Sequence, residues 1–529
     1  MVQEYEALVV GAGHNGLVCG AYLAKAGLKV CVLERRSIIG GAAATEELWP
    51  GFKISPAAFV MSLMQPKIIA DLELKTFGLE TIRPAPLYQP LPDGRHLAFF
   101  DDLQKTCDEI ARFSKKDAAA YPAYRAHMQG LAPILRRLLW EIPPDIGSRS
   151  LADIASTLSF FWRFRGIGGK FYDVYDLLTL SAHDFLQRWF QSDTVLAALG
   201  SYASGSGGNI SLKSPGSAYV LMRGYLRGSD EWGFVRGGMG NIGKAIALSG
   251  QRFGLKIRTD AEVASIRVHN GRAEGVVLKD GEEIRAKRII ANANAKTTFL
   301  RLIAEKELPA DFLTDIRRFR DASSCFKINL AVEAPPHYPA FVPEMIGAPY
   351  PTAVRIAPSV EYLERAYDAA KYGGFAERPY LAIMVPSLAD PTIAPEGKHV
   401  VSIFGGHAAY KLKDRQWTDE TREELYKTVV DTIAEYAPGF GNGVIAKQIL
   451  TPLDLEQIFD LPAGHVHHGE LSVDQVFFRR PAPHYADYRT PIAGLFQCGA
   501  STHPGGGVTG VPGHNAAQAV LRDRRGGWR

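Results

Sequence analysis

The start of the chain shows two apolar runs separated by one segment with helical periodicity. Residues 6–10 (EALVV) form a short apolar run that is typical of a buried parallel strand. Residues 17–27 (LVCGAYLAKAG) place apolar side chains at helical spacing and end in glycine. Residues 28–33 (LKVCVL) predict a second strand, which Glu34 closes. The pattern therefore predicts a complete β-α-β unit.

A glycine-rich turn joins the first predicted strand to the helix. Gly11, Gly13 and Gly16 have the spacing that permits a tight turn, a close approach of the backbone to a pyrophosphate, and close packing of helix on strand. Glu34 lies 23 positions after Gly11 and is expected to accept hydrogen bonds from ribose hydroxyls, which disfavours a 2′-phosphate there. We therefore predict a dinucleotide site and reject the alternative of a purely structural glycine turn.

A second glycine cluster lies in the middle of the chain. Residues 235–247 (VRGGMGNIGKAIA) place Gly-Gly-Met-Gly before a helix that we expect to end near residue 253. Strands follow this helix, with hairpin turns predicted at Asn270-Gly271 and Asp280-Gly281. For the glycine cluster itself, contact with a cofactor and a turn without ligand remain equal alternatives.

The third glycine cluster lies near the C-terminus. Residues 494–523 predict a short strand over 495–498, a glycine-rich turn, and an apolar helix that begins near Pro512. No second β-α-β fingerprint follows another predicted strand, so a separate NAD(P)H-binding domain is not expected.

Composition narrows the function classes without naming one. The 529 residues are 46% hydrophobic and 22% charged, which excludes a disordered chain, a coiled coil and a collagen. The 60 basic and 56 acidic residues leave a net charge of +4, so nucleic acid is not expected as a partner.

The cysteines and the apolar stretches indicate a cytoplasmic protein. Five separated cysteines include no C-x-x-C pair, so we expect neither a dithiol redox centre nor a bound metal such as zinc. An odd count without a framework fits a reducing compartment. The stretch 194–212 is too rich in glycine and serine to span a membrane.

The residues after Glu34 carry a family resemblance. Gly40 and Gly41 form a glycine pair behind the acidic strand end, and here the sequence resembles FAD-dependent oxidoreductases of the phytoene desaturase and amine oxidase type. The resemblance implies that this pair continues the FAD contact. Ala42 follows the pair where many members have arginine, so Arg35 or Arg36 is expected to take over the phosphate contact.

Further motifs narrow the resemblance to one branch and cover nearly the whole chain. The stretches GHNGLV (13–18), SPGSAYVL (214–221) and HHGELSVDQVFFRRP (467–481) resemble the branch of pyridine nucleotide-disulphide oxidoreductase domain-containing protein 2 and bacterial phytoene-dehydrogenase-like relatives. The implied fold class is mixed α/β, with a discontinuous Rossmann-type FAD-binding domain and an interleaved substrate domain. The FAD-binding domain is expected over 1–85, 234–300 and 466–529, and the substrate domain over 86–233 and 301–465.

The resemblance also extends the set of expected FAD contacts beyond the fingerprint. The backbone of Val263 is expected at the adenine, and the C-terminal turn is expected to cover the isoalloxazine ring, where the helix dipole stabilises negative charge on reduced flavin. The complete predicted cofactor site consists of Gly11, Gly13, His14, Asn15, Gly16, Glu34, Arg35, Arg36, Gly40, Gly41, Ala42, Val263, Gly499, Gly510 and Val511.

The implied activity is hydride transfer between a CH–CH unit of a hydrophobic, polyene or isoprenoid, substrate and flavin N5, with oxygen or a quinone as acceptor. His467, His468 and His503 are the candidate proton acceptors, because histidine titrates near neutral pH. The alternative is structural: His503 orders the glycine turn and His468 bonds the backbone.

Two other functions stay open on the same fold. A flavin amine oxidase would place an aromatic pair beside the flavin, for which Tyr410 and Trp417 are candidates without a predicted position. A non-catalytic chaperone that binds prenyl groups or proteins would not need the intact nucleotide motif.

Peripheral contact with a membrane is a further expectation. Residues 160–165 (FFWRFR) combine aromatic side chains with arginines, which suits a bilayer surface. The favoured alternative is a helix packed on the core with its arginines exposed.

Overall fold

The computed structural model of the chain describes residues 4–205, 209–228 and 231–524. The strands in chain order are β1 (Glu4–Tyr5), β2 (Ala7–Val10), β3 (Val30–Leu33), β4 (Glu46–Trp49), β5 (Phe52–Ile54), β6 (Thr81–Ile82), β7 (Leu87–Pro90), β8 (His96–Phe99), β9 (Phe234–Val235), β10 (Lys256–Arg258), β11 (Val263–His269), β12 (Arg272–Leu278), β13 (Glu283–Ala286), β14 (Ile289–Ala291), β15 (Phe326–Val332), β16 (Ala353–Ile356), β17 (Leu381–Met384), β18 (His399–Gly405), β19 (Val444–Leu450) and β20 (Leu495–Gln497).

The α-helices in chain order are α1 (His14–Lys25), α2 (Pro66–Asp71), α3 (Leu103–Ala111), α4 (Lys115–Trp140), α5 (Leu151–Arg163), α6 (Lys170–Thr179), α7 (Ala182–Gln187), α8 (Asp193–Gly205), α9 (Ala218–Leu221), α10 (Gly240–Arg252), α11 (Ala295–Leu300), α12 (Ala310–Arg318), α13 (Val360–Lys371), α14 (Asp419–Ala434), α15 (Pro452–Phe459) and α16 (Val511–Arg524).

A five-stranded parallel sheet organises the N-terminal β-α-β unit. Its order is β10-β3-β2-β14-β20, so strands from the start, the middle and the end of the chain lie side by side. The central strands are buried along their whole length, as expected for a parallel sheet covered on both faces. Helices α1, α10 and α16 pack together against it. This confirms the predicted mixed α/β class with a Rossmann-type unit.

The parallel register brings the carboxyl ends of these strands to one edge. Val10 pairs with Leu33 and with Ala291, and Ala291 pairs with Gln497. The residues that follow the strands therefore meet at that edge, which is where open parallel sheets bind ligands.

A four-stranded sheet, β1-β13-β12-β11, flanks the parallel sheet. Its two antiparallel pairs are joined at Asn270-Gly271 and at Asp280-Gly281, so both predicted hairpin turns are confirmed. Asn270 and Gly271 have φ of 49° and 71°, the left-handed backbone that this turn chemistry favours.

A seven-stranded sheet forms the second layer of the molecule. Its order is β19-β15-β18-β17-β16-β7-β8, and every neighbouring pair is antiparallel except β16 with β7. All seven strands fall within the predicted substrate domain, and all five strands of the parallel sheet fall within the predicted FAD-binding domain. The exact boundaries at 85, 233, 300 and 465 stay predictions.

Helices α5 and α6 carry an exposed apolar surface. Phe160 is buried, but Phe161 and Trp162 are 55% and 66% exposed. The favoured expectation of a segment packed on the core therefore holds for Phe160 and fails for these two aromatic side chains. Arg163 is held by Glu141 at 2.8 Å, and Arg165 lies over the Trp162 ring. Among the described residues, no helix is both long and apolar enough to cross a bilayer.

Candidate functional site

One large cavity, of about 600 Å³, lies between the two sheets. The carboxyl edge of the parallel sheet forms one end, which we call the nucleotide end. One face of the seven-stranded sheet forms the other, which we call the substrate end. Residues from the first 62 positions, the middle and the last 30 positions of the chain line it together.

The glycines of the fingerprint hold the first turn of α1 against the sheet edge. Gly11 has φ of 101°, which excludes most side chains. A Cβ at Gly16 would overlap the carbonyl oxygen of Gly11. Gly13 caps α1 and has no side chain, so the first-turn N–H groups of the helix are left for a ligand at its positive end.

Glu34 reaches back from the end of β3 to the turn after β2. Its Oε2 accepts from the Ala12 N–H at 2.8 Å and its Oε1 accepts from the Arg36 N–H at 3.0 Å. The carboxylate is buried and lines the cavity. Each oxygen keeps a second lone pair, so this geometry suits the predicted acceptor of ribose hydroxyls.

The glycine pair and the two arginines lie beside the fingerprint. Gly40 donates its N–H to the Ala12 carbonyl at 2.9 Å, which fixes the turn over Gly41. Arg35 donates to the Ile458 carbonyl at 2.6 Å. Arg36 is held by Glu46 through Nη2 at 2.8 Å, while its buried Nη1 has no hydrogen-bond partner among the described residues. Arg36 is thus the better substitute for the missing family arginine.

The other predicted cofactor residues divide into two groups. His14, Asn15, Ala42 and Val263 line the cavity with the residues above. Gly499, Gly510 and Val511 are described but lie behind the cavity wall, which Ala500, Gly507 and Val508 form instead. A Cβ at Gly510 would lie 2.7 Å from Ile68 Cδ1 and one at Gly499 would lie 2.5 Å from the Asn292 carbonyl oxygen, so these glycines permit close packing.

Two of the three candidate proton acceptors line the cavity. His467 and His468 are there together with His14. Burial lowers the pKa of His468 to about 3, with smaller contributions from His14 and Arg480, and burial lowers the pKa of His14 to about 4. Both imidazoles are therefore neutral at pH 7. In the described part of the chain, the Nδ1 atom of His468 has no hydrogen-bond partner.

His503 lies outside the described lining of the cavity. Its Nε2 donates to the Leu138 carbonyl at 2.9 Å, and its own carbonyl accepts from the Tyr488 hydroxyl at 2.6 Å. Burial lowers the pKa of His503 to about 4. These contacts favour the structural alternative, in which His503 anchors the C-terminal turn to α4.

The floor of the substrate end is a row of side chains across four strands. Register places Arg355 beside Ala382, Ala382 beside Phe404, and Phe404 beside Lys327. Directly opposed residues on neighbouring strands point to the same face. The first three line the cavity, and the Phe59 ring packs on Phe404 with centroids 5.7 Å apart.

Lys327 ends this row and is 1% exposed. Its Nζ donates to Ser402 Oγ at 2.6 Å and to Asn329 Oδ1, and it lies 5.5 Å from the centre of the Phe59 ring. Burial lowers the pKa of Lys327 to about 7. Sequence reasoning missed this lysine and Arg355, because a single charged residue in an apolar run gives no sign of the row that forms only when four distant strands pair.

Two other expectations receive positions. The N–H groups of Gly237, Met239 and Gly240 donate to the Asp390, Ser55 and Thr45 side chains, and these glycines do not line the cavity in the described structure, so the cluster is a turn without ligand. Trp417 stacks on Phe375 and Tyr410 bonds Glu456, both away from the described cavity lining. They therefore do not form an aromatic pair beside the site.

Comparison with known proteins supports this geometry. The family model of flavin-containing amine oxidoreductases matches residues 16–521. Pyridine nucleotide-disulfide oxidoreductase domain-containing protein 2 from Rattus norvegicus is 39% identical over 98% of this chain and 94% of its own. A limonene dehydrogenase polypeptide from Castellaniella defragrans is 29% identical over 99% and 95%. An oxidoreductase structure from Methanosarcina mazei shares the fold, with a TM-score of 0.61 and 19% identity over 99% and 100%.

Proposed function

Because the chain belongs to the family of flavin-containing amine oxidoreductases and is an FAD-dependent oxidoreductase, we propose that it dehydrogenates a CH–CH unit of a hydrophobic, isoprenoid-like substrate. The observation that carries the proposal is the continuity of the cavity, which runs from the nucleotide end to an apolar face of the second sheet. The limonene dehydrogenase relative, named for a terpene hydrocarbon, supports the substrate class.

The nucleotide end fits FAD on its own contacts. The first turn of α1 offers uncapped N–H groups to the pyrophosphate, and Glu34 offers carboxylate lone pairs to a ribose. Arg36 Nη1 is a buried cationic donor with no partner in the described part of the chain, which an anionic phosphate would satisfy. When bound, FAD supplies the acceptor for two electrons and a hydride, and oxygen or a quinone would reoxidise it.

The chain itself contributes orientation, exclusion of water and a proton site. Phe59, Met384 and Phe404 line the substrate end and would hold an apolar skeleton away from solvent. Loss of a hydride leaves positive charge on the substrate, which makes the adjacent C–H strongly acidic. The low pKa of His468 makes it a weak base, and a weak base suffices for that proton.

We further propose that the exposed surface of α5 and α6 rests on a membrane. Its apolar side chains are large, and Arg163 and Arg165 lie beside them at the height of lipid headgroups. Vesicles of phosphatidylcholine and phosphatidylglycerol should sediment the wild type several-fold better than a Phe161→Ser/Trp162→Ser variant. The control is Tyr372→Ser, which removes an equally exposed aromatic elsewhere. Equal sedimentation of all three would refute the contact.

The test of the main proposal is reduction of the bound flavin. Purified protein should be yellow, and anaerobic addition of unsaturated isoprenoids should bleach the flavin absorbance, whereas amines should not. Bleaching by amines alone would establish the amine oxidase alternative instead. Protein that stays colourless after incubation with FAD would favour the non-catalytic one.

A further inference from the structure

The acidic residues that line the cavity are confined to one of its ends. The described lining residues include three acids, and all lie at the nucleotide end. Glu34 follows β3, Glu262 precedes β11, and Asp460 pairs with Arg301 at 3.2 Å. The substrate end holds Arg223 and Arg355 and, within the described lining, no carboxylate.

Arg355 is held in place by neutral groups only. Its Nη1 donates to the Ala198 carbonyl and to Ser201 Oγ, each at 3.2 Å, so α8 fixes the side chain without neutralising its charge. Its buried Nε has no hydrogen-bond partner in the described chain. Next to it in the cavity wall is Tyr380, which can add a hydroxyl donor for a ligand.

Arg223 repeats this arrangement from another part of the chain. It is 6% exposed, and its Nη1 lies 3.4 Å from His467 Nε2. Its Nε also lacks a hydrogen-bond partner among the described residues, and none of the described carboxylates pairs with it. A buried guanidinium without an anion is costly, so two of them in one chamber favour a ligand that brings the anion with it.

We propose, on the basis of the dehydrogenase function above, that the substrate is a hydrophobic carboxylic acid whose carboxylate is bound by Arg355 and Arg223. Its apolar body lies on Ala382, Phe404 and Phe59. A carboxylate matches the planar fork of a guanidinium, whereas a protonated amine is repelled by both side chains. The anion also offsets the positive charge that hydride loss would add to the chamber.

The proposal is tested by binding, which needs no turnover. Geranic acid, geraniol and geranylamine share one skeleton and differ in the charge of the head group. Each is titrated into the FAD-loaded protein by calorimetry and by the perturbation of the flavin spectrum. We expect the acid to bind at least about ten-fold more tightly than the alcohol, and the amine to bind most weakly.

Variants separate a substrate anion from an anion of the cofactor. Arg355→Gln and Arg223→Gln should each bring the affinities for acid and alcohol within about two-fold, with FAD content and spectrum unchanged, and Arg355→Lys should restore part of the preference. Loss of FAD with an intact preference for the acid would assign the arginines to the cofactor and overturn the proposal. Equal binding of acid and alcohol by the wild type would overturn it too, while flavin bleaching by the neutral compounds would leave the dehydrogenase function standing.

Discussion

The two ends of the cavity are built by different means. At the nucleotide end, backbone groups and fixed turns make the contacts, and Gly11, Gly16 and Glu34 lie within one short β-α-β unit. At the substrate end, side chains of Arg355, Ala382 and Phe404 meet because three separate strands pair in one register. The first end therefore tolerates little change of any kind, and the second can change its ligand by single substitutions.

The largest effect is expected where this rigidity is greatest. Gly16→Ala places a methyl group against the Gly11 carbonyl and must move the turn that receives the pyrophosphate. We expect FAD affinity to fall by about a hundred-fold or more. Fluorescence quenching of added FAD measures this, with circular dichroism as the check of folding.

The matched control is Gly166→Ala, because a Cβ there has nothing within 4 Å. It should bind FAD like the wild type. Unchanged FAD affinity in Gly16→Ala would show that the turn yields easily and that the nucleotide end is not the rigid part of the site.

A smaller effect should distinguish the two arginines after Glu34. Arg36→Met removes a buried cationic donor that lacks a partner among described residues, whereas Arg35→Met removes a side chain already bonded to the Ile458 carbonyl. We expect the Kd for FAD to rise about ten-fold in the Arg36 variant, the scale of one charged hydrogen bond, and less than about three-fold in the Arg35 variant. The reverse order would assign the phosphate contact to Arg35.

The smallest effect concerns the buried lysine under the substrate end. The folded-state pKa of Lys327 is about 7, below the ordinary value of 10.5, so the unfolded chain binds more protons between these values. The wild type therefore loses stability from this group as pH falls from about 10.5 to 7, and no more below that.

Replacing Lys327 by methionine removes this penalty. The Tm of the variant should exceed that of the wild type by roughly 2–4 °C at about pH 7, and the difference should shrink as pH rises to about 9. Differential scanning fluorimetry across this range measures it. A difference that does not change with pH would mean that the lysine keeps its ordinary pKa in the folded protein.

The same contrast explains how much could be predicted from the sequence. The nucleotide end was predictable because its glycines and Glu34 have fixed spacing within one local unit, and the cofactor-lining positions His14, Asn15, Ala42 and Val263 follow from that frame and the family motifs. Gly499 and Gly510 illustrate the limit, because spacing identifies a tight turn without revealing which side of it faces the cavity.

The substrate end was not predictable for a physical reason. Arg355 and Phe404 are 49 positions apart and become neighbours only through Ala382 on the strand between them. His503 looked like a site residue because it lies in the glycine-rich turn, but packing turns its ring towards Leu138. Register and side-chain direction decide these positions, and neither can be read from local pattern.

Whether the two ends of the cavity form one active site is decided by a crystal structure of the FAD-bound protein. We predict the adenosine between Glu34 and Val263, the pyrophosphate at the first turn of α1, and the isoalloxazine ring between His468 and the row formed by Ala382 and Phe404. A ring that lies away from this row, with the substrate end left outside its reach, would contradict a single active site built from both ends.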